Sequence, residues 1–133
     1  MKYILKGGTV VGSSVSCEAD LLIDGEKIAA VGKDLLCEGA QVVDVTGKLL
    51  FPGFIDAHTH FDLDVCNTTT ADDFASGTRS ALRGGTTMVI DFACPNKGET
   101  LGCGLALWNV KADGKCYCDY GFHMTIDDWN EGI

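Results

Sequence analysis

Three residues that can take part in metal or acid–base chemistry occupy alternate positions in one short segment: Asp56, His58 and His60. Residues two apart in a β-strand point to the same face, so this spacing brings the three side chains to one side of the chain. Neutral imidazole is a natural ligand for zinc and similar transition metals, and two at this spacing can reach one ion. The alternative is a pair of histidines on a polar loop. Because an apolar run leads into the pair, we expect a metal site where a strand ends.

The character of the sequence changes at Pro52, just before this run. After it, apolar or β-branched runs alternate with segments of helical character. The predicted elements are a strand over Gly53–His60, a helix over Thr70–Arg83, a strand over Thr86–Phe92, a helix over Thr100–Ala112 and a strand over Cys116–Ile126. Strands that alternate with helices are typical of βα units and a parallel sheet, so we expect an α/β fold.

The part of the chain before Pro52 is rich in short β-type runs. We predict strands over Tyr3–Val11, Ala19–Ile23, Lys27–Val31, Gln41–Val45 and Lys48–Phe51. Asp24-Gly25 between the second and third runs is a strong hairpin signal, and Thr46-Gly47 separates the last two runs in the same manner. The sequence therefore predicts a small antiparallel sheet or half-sandwich over residues 1–51, followed by an α/β domain over residues 52–133.

The overall composition is acidic and that of an ordinary globular protein. Ten basic and nineteen acidic residues give the 133-residue chain a net charge of −9, and no Lys/Arg cluster interrupts the acidity. This balance argues against nucleic acid or an anionic membrane surface as a partner. The first residues contain no apolar stretch of signal-peptide length, so we expect a cytoplasmic protein. The chain has seven cysteines, an odd number, and no C-x-x-C motif. We therefore expect the cysteines to be small buried apolar side chains rather than parts of disulfides or of a zinc ribbon.

Several collinear segments resemble one known group of enzymes. Pro52–His60 resembles the first-strand signature of the metal-dependent amidohydrolase superfamily. Four further segments are similar to its D-hydantoinase/dihydropyrimidinase branch: Thr70–Phe74, Gly84–Phe92, Trp108–Lys115 and Asp119–Met124. The resemblance implies the first three strands and two helices of a TIM-like (β/α)8 barrel, preceded by part of a small β-sandwich domain. A complete barrel of this type needs about 250 residues, whereas 82 follow Phe51, so we expect the N-terminal portion of a longer enzyme.

The resemblance also implies an activity, namely ring-opening hydrolysis of a cyclic amide such as a hydantoin or dihydropyrimidine. Two zinc ions in such a site share a bridging hydroxide and a carboxylated lysine, and the metals activate the hydroxide. His58 and His60 match the first-strand metal ligands of the family. The carboxylated lysine and the other ligands are expected beyond residue 133, so the 133-residue chain alone is expected to be inactive. The full-length enzyme is expected to be a homotetramer.

Two further groups of residues are candidates for supporting the site. Asp56, Asp91 and His123 are expected to orient the ligands or brace the strands, since metal-bound histidine usually needs a hydrogen-bond acceptor behind it. The loop that shapes the substrate pocket in the family commonly contains a Pro-Phe-Gly-Gly-like stretch. Here the pocket candidates are Leu63, Asp64, Val65 and Cys66, where Val65 would widen the pocket and Asp64 would add charge at its mouth.

The alternative function is a non-catalytic module, either a truncated protein or a pseudo-enzyme that acts by binding a partner. The same branch includes cytoskeletal-regulatory relatives that have lost metal ligands. Both His58 and His60 are retained here, which favours the hydrolase.

Overall fold

The computed structural model describes residues 1–129 and divides the chain into two compact units, Met1–Pro52 and the unit that begins at Gly53. Within the described residues, no helix is both long and apolar enough to cross a membrane.

The first unit is built on one mixed sheet. Its strands are β1 (Lys2–Val11), β2 (Ser16–Asp24), β3 (Lys27–Gly32), β4 (Gln41–Asp44) and β5 (Leu49–Leu50). The strand order is β3-β2-β1-β4, and β5 pairs with β1 beyond β4. The β2–β3 hairpin forms where the Asp-Gly signal predicted it, with Gly25 at φ 62° as its turn requires.

The predicted second hairpin is wrong. The strands on either side of Thr46-Gly47 do not pair with each other, because both β4 and β5 pair with β1 in parallel. The reason lies in β1, whose pairing with β2 shifts register between Leu5 and Gly8. The half of β1 before this shift pairs with β4, and the half after it pairs with β5. The Thr46-Gly47 turn lets the chain step from the first half to the second. The sheet is therefore mixed rather than purely antiparallel.

A buried carboxylate holds this irregular point of β1 in place. Asp20 is 5% exposed, and its two oxygens accept hydrogen bonds from the backbone N–H of Gly7 at 2.9 Å and of Leu35 at 3.1 Å. The Gly7 bond above all lowers the pKa of Asp20 below its ordinary value. Position 7 needs glycine, because φ is 77° and an added Cβ would lie 2.7 Å from Thr46 Oγ1.

The second unit has the mixed α/β composition that the sequence predicted. Its elements are β6 (Phe54–Thr59), β7 (Asp64–Val65), β8 (Thr68–Thr69), α1 (Phe74–Arg83), β9 (Thr86–Ala93), α2 (Leu101–Ala112) and β10 (Asp119–Met124). Strands β6, β9 and β10 form a parallel sheet in the order β10-β9-β6. The antiparallel pair β7–β8 is a separate small hairpin. The core of the unit is the buried cluster Phe74, Ala93, Trp108 and Ala112.

The first helix begins four residues later than predicted. Thr70 closes the β7–β8 hairpin instead of capping a helix, since its N–H donates to the Leu63 carbonyl and its hydroxyl accepts from the Leu63 N–H. Asp73 is the N-cap, and it forms a reciprocal capping box with Ser76. The Ser76 N–H and hydroxyl lower the pKa of the Asp73 carboxyl. The last strand is also shorter than the predicted Cys116–Ile126, since β10 begins at Asp119 and ends at Met124.

The cysteines differ from expectation in one respect. All seven are free thiols, but none is fully buried, and Cys17, Cys66 and Cys103 are exposed. Cys116 is the most strongly affected by its surroundings, since partial burial raises its pKa to about 11. The cysteines therefore form neither disulfides nor a buried apolar set.

Candidate metal centre

His58 and His60 converge at the carboxyl end of β6. Their Nε2 atoms lie 3.1 Å apart and both side chains are exposed. Zinc–nitrogen bonds of about 2.0–2.1 Å in tetrahedral geometry place two ligand nitrogens about 3.3 Å apart, so the observed spacing fits one shared ion. The same spacing also fits a hydrogen bond from one ring to the other. The two imidazoles thus have the chemistry and the separation of a metal-ligand pair.

A single aromatic ring packs against all three histidines of the chain. The ring centroid of Phe92 on β9 lies 4.6 Å from that of His58, 5.2 Å from that of His60 and 4.8 Å from that of His123. Such tilted contacts fix the plane of each imidazole without using its nitrogens. The sequence interpretation missed Phe92. The signal that could have found it is its place at the end of the strand adjacent to the histidines.

Asp91, the neighbour of Phe92, braces the strand end that carries His60. It is fully buried and accepts four hydrogen bonds. Its Oδ2 accepts from the Thr59 hydroxyl at 2.9 Å and from the Phe61 N–H at 2.8 Å, so it contacts the residues on both sides of His60. Its Oδ1 accepts from its neighbouring backbone N–H at 2.8 Å and from Trp108 Nε1 at 3.0 Å. Asp91 therefore ties the end of β6 to β9 and to α2.

The other two supporting candidates contact the backbone beside His58. Asp56 Oδ1 accepts from the His58 N–H at 3.2 Å, and His123 Nε2 lies 3.1 Å from the Ala57 carbonyl oxygen. Neither side chain approaches a ring nitrogen of His58 or His60 as a hydrogen-bond partner. Within the described part of the chain, no group of three or more His, Cys, Asp or Glu residues is arranged to hold a metal ion. The described residues thus bring together two candidate ligands, His58 and His60.

The predicted pocket loop forms the β7–β8 hairpin, and its turn residues Cys66 and Asn67 have φ angles of 52° and 61°. Two consecutive positive φ angles are the geometry of a type I′ turn. Leu63, Asp64 and Val65 line a cavity of about 400 Å³, together with residues that include Lys97 and Trp108. Cys66 does not line this cavity, and neither do His58 and His60. Whether the four loop residues shape a substrate pocket beside the histidine pair stays a prediction.

Phe61, the residue after His60, packs its ring closely against Gly77 on α1. Gly77 is buried, and a Cβ added there would lie 2.2 Å from Cε1 of Phe61, whose ring packs edge-on against Phe74. We expect Gly77→Ala to displace Phe61 and to lower the free energy of unfolding by about 1–3 kcal/mol, measured in urea. Gly102→Ala on α2 is the matched control, since its nearest neighbour would be 3.8 Å away. The control should gain up to about 1 kcal/mol from helix propensity, and equal stability of the two variants would contradict the prediction.

The chain is similar to known proteins in both sequence and structure. The profile of the Amidohydrolase family matches residues 49–115, about half of the chain. The chain is 47% identical to the D-hydantoinase of Geobacillus stearothermophilus over 133 residues, which is all of this chain and 28% of that protein. The crystal structure of dihydropyrimidinase from Brevibacillus agri NCHU1002 superposes with a TM-score of 0.96 at 48% identity, over 98% of this chain and 28% of the other.

A more distant solved structure is a D-aminoacylase described by its binuclear metal centre. It matches with a TM-score of 0.52 at 36% identity, over 67% of this chain and 18% of that enzyme. The resemblance seen in the sequence motifs is thus confirmed over the length of the chain. The chain spans little more than a quarter of the relatives that it matches along its whole length. It belongs to the amidohydrolase family, among relatives that are D-hydantoinases and dihydropyrimidinases.

Proposed function

We propose that this chain supplies the two-histidine part of a binuclear metal site in an enzyme that hydrolyses the ring amide bond of hydantoins or dihydropyrimidines. The observation that carries the proposal is the 3.1 Å separation of His58 Nε2 and His60 Nε2 at the end of a parallel strand. Relatives named D-hydantoinase and dihydropyrimidinase support this substrate class. The carboxyl ends of parallel strands are where barrel enzymes build their active sites.

Zinc is the metal that the donor set favours. The two ligands are imidazoles, which suit zinc and other transition metals, whereas magnesium and calcium prefer clusters of oxygen ligands. A bound ion of this kind polarises the amide carbonyl and lowers the pKa of water toward neutrality. His58 and His60 would hold the ion, and Phe92 would keep their rings in position.

The remaining parts of the site are proposed to come from outside residues 1–133. The resemblance implies a carboxylated lysine that bridges two metal ions, and no lysine of this chain stands at the matching position. The chain alone is therefore proposed to be inactive. We further propose that residues 1–51 belong to a β-sandwich domain, that residues 52–133 open a (β/α)8 barrel, and that the full-length enzyme is a tetramer.

A chimera tests the proposed activity. The segment of the Geobacillus stearothermophilus D-hydantoinase that aligns with this chain is replaced by residues 1–133, which are 47% identical to it. We expect the zinc-loaded chimera to open the ring of hydantoin or dihydrouracil, measured as loss of ring absorbance, while the isolated 133-residue chain does neither. The control is the unmodified relative. A folded, zinc-loaded chimera that hydrolyses neither compound would contradict the proposed function.

A further inference from the structure

The strand that carries His58 is irregular at the histidine. In the β6–β9 ladder, Asp56 pairs with Val89 and Thr59 pairs with Asp91. Two residues of β6, Ala57 and His58, therefore lie where β9 has only Ile90. This is a β-bulge, which bends the strand and redirects the side chains that follow. The direction in which His58 points depends on this bulge and does not follow from regular strand alternation.

Two side chains hydrogen-bond to the backbone of the bulge. Asp56 Oδ1 accepts from the His58 N–H at 3.2 Å, and His123 Nε2 lies 3.1 Å from the Ala57 carbonyl oxygen. A carbonyl oxygen can only accept, so His123 Nε2 must carry the proton in this bond. When the His123 ring is neutral, its lone pair is then on Nδ1.

The His123 ring is also coupled to the ligand pair through packing. His123 on β10 and His58 on β6 lie against the same ring of Phe92, with centroid separations of 4.8 Å and 4.6 Å. The strand between them, β9, separates β6 from β10 in the sheet. The bond from His123 to Ala57 therefore crosses over β9 and connects the edge strand β10 to the edge strand β6.

We propose that His123 is a positioning residue that holds the bulge at Ala57 and thereby aims His58 Nε2 at His60 Nε2, without itself binding metal. The proposal rests on the proposed function of the histidine pair. Without the bond, β6 can return toward regular pairing with β9. In regular pairing, His58 would lie opposite Asp91 instead of in the bulge. A register shift of one residue turns side chains to the other face of the sheet, so His58 would leave the face that it shares with Phe92.

The first test uses the metal-free 133-residue chain. Long-range ¹H–¹⁵N NMR spectra of the imidazoles report the tautomer of each histidine, and we expect His123 with its proton on Nε2. His123→Leu removes the donor but keeps apolar bulk against Phe92, whereas His123→Gln keeps an N–H donor. We expect the Leu variant to shift the amide and ring signals of His58, and the Gln variant to leave them close to wild type. A wild-type His123 protonated on Nδ1 alone would overturn the proposal, whether or not a variant folds.

The second test titrates zinc ions into the same proteins, in which the exposed Cys17, Cys66 and Cys103 are replaced by alanine to remove competing thiols. We expect the ring signals of His58 and His60 to shift together in the parent protein. His123→Leu should weaken zinc affinity about 10–100-fold, the range typical of residues that orient metal ligands, and His123→Gln should stay within about threefold of the parent.

The outcomes separate the two proposals. Equal weakening by Leu and Gln, or a zinc-induced shift of the His123 ring as large as those of His58 and His60, would make His123 a ligand and overturn its positioning role. Unchanged affinity in the Leu variant would also overturn it. If the parent protein binds no zinc at His58 and His60, the pair needs the ligands proposed to lie outside residues 1–133, and the chimera decides the proposed function. The metal-free spectra then alone decide whether His123 holds the bulge.

Discussion

His58→Ala and His60→Ala, each introduced into the hydantoinase chimera, are expected to lower hydrolysis of dihydrouracil by about a thousandfold or more. Each imidazole is one of the two ligands that this chain is proposed to supply, with the nitrogens 3.1 Å apart. Loss of either ligand removes the fixed ion that would bring the attacking water into its reactive form near neutral pH. The measurement is kcat/KM at saturating zinc, together with the zinc content of each purified variant.

The double variant gives the sharper result. Residues that act as one unit have non-additive effects, so the double variant should lose no more activity than the worse of the two single variants. Cys103→Ala, an exposed change on α2 away from β6, is the control and should leave kcat/KM unchanged. Activity within tenfold of the parent in either histidine variant, with normal zinc content, would refute the role of that histidine.

The sequence was sufficient to place the histidine pair at a strand end and to predict the order of the elements around it, apart from the β7–β8 hairpin. Spacing by two and an apolar run before His58 were enough to place the pair at a strand end. Asp-Gly predicted the β2–β3 hairpin, and the helix predicted over Thr100–Ala112 forms as α2, with Thr100 as its N-cap. These predictions depend on local chemistry, namely strand alternation, turn geometry and capping, which neighbouring residues determine almost alone.

The geometry that aims His58 could not be predicted in this way. Regular alternation would place Asp56, His58 and His60 on one face, but the bulge interrupts that alternation between Asp56 and Thr59. No glycine marks the bulge in the sequence. Its partners come from β9 and from His123, 66 residues after Ala57, so only the folded sheet reveals it.

The β7–β8 hairpin and the shortened α1 have a common cause. Asn67 is a residue type that tolerates positive φ, but Cys66 before it is not a typical turn residue. The sequence therefore did not predict the type I′ turn. Once the hairpin forms, Thr70 bonds back to Leu63 and is no longer able to cap a helix. Asp73 takes that role because Ser76 completes the capping box. A missed turn thus moved the predicted helix start by four residues.

The second large effect is expected at Asp91. Asp91→Ala should lower the free energy of unfolding of the second unit by about 3–5 kcal/mol, because it leaves several buried hydrogen-bond donors without an acceptor. The donors include the Thr59 hydroxyl, the Phe61 N–H and Trp108 Nε1, at 2.8–3.0 Å. A single water entering the space left by the carboxylate could not accept from all of these donors, since a water has two acceptor lone pairs and the Asp91 side chain is fully buried.

Two milder variants serve as matched controls, since each removes one donor and keeps the carboxylate. Thr59→Val should cost about 1 kcal/mol. Trp108→Phe also removes buried indole volume from the core cluster, so it should cost about 1–3 kcal/mol, still below the cost of Asp91→Ala. Amide hydrogen exchange in β6 and β9 is the suitable measurement, because it reports the second unit separately from the first. A cost for Asp91→Ala no larger than that of the two controls would show that the carboxylate is dispensable. The larger cost would instead identify Asp91 as the anchor that fixes both neighbours of His60, and with them the position of the His60 ring.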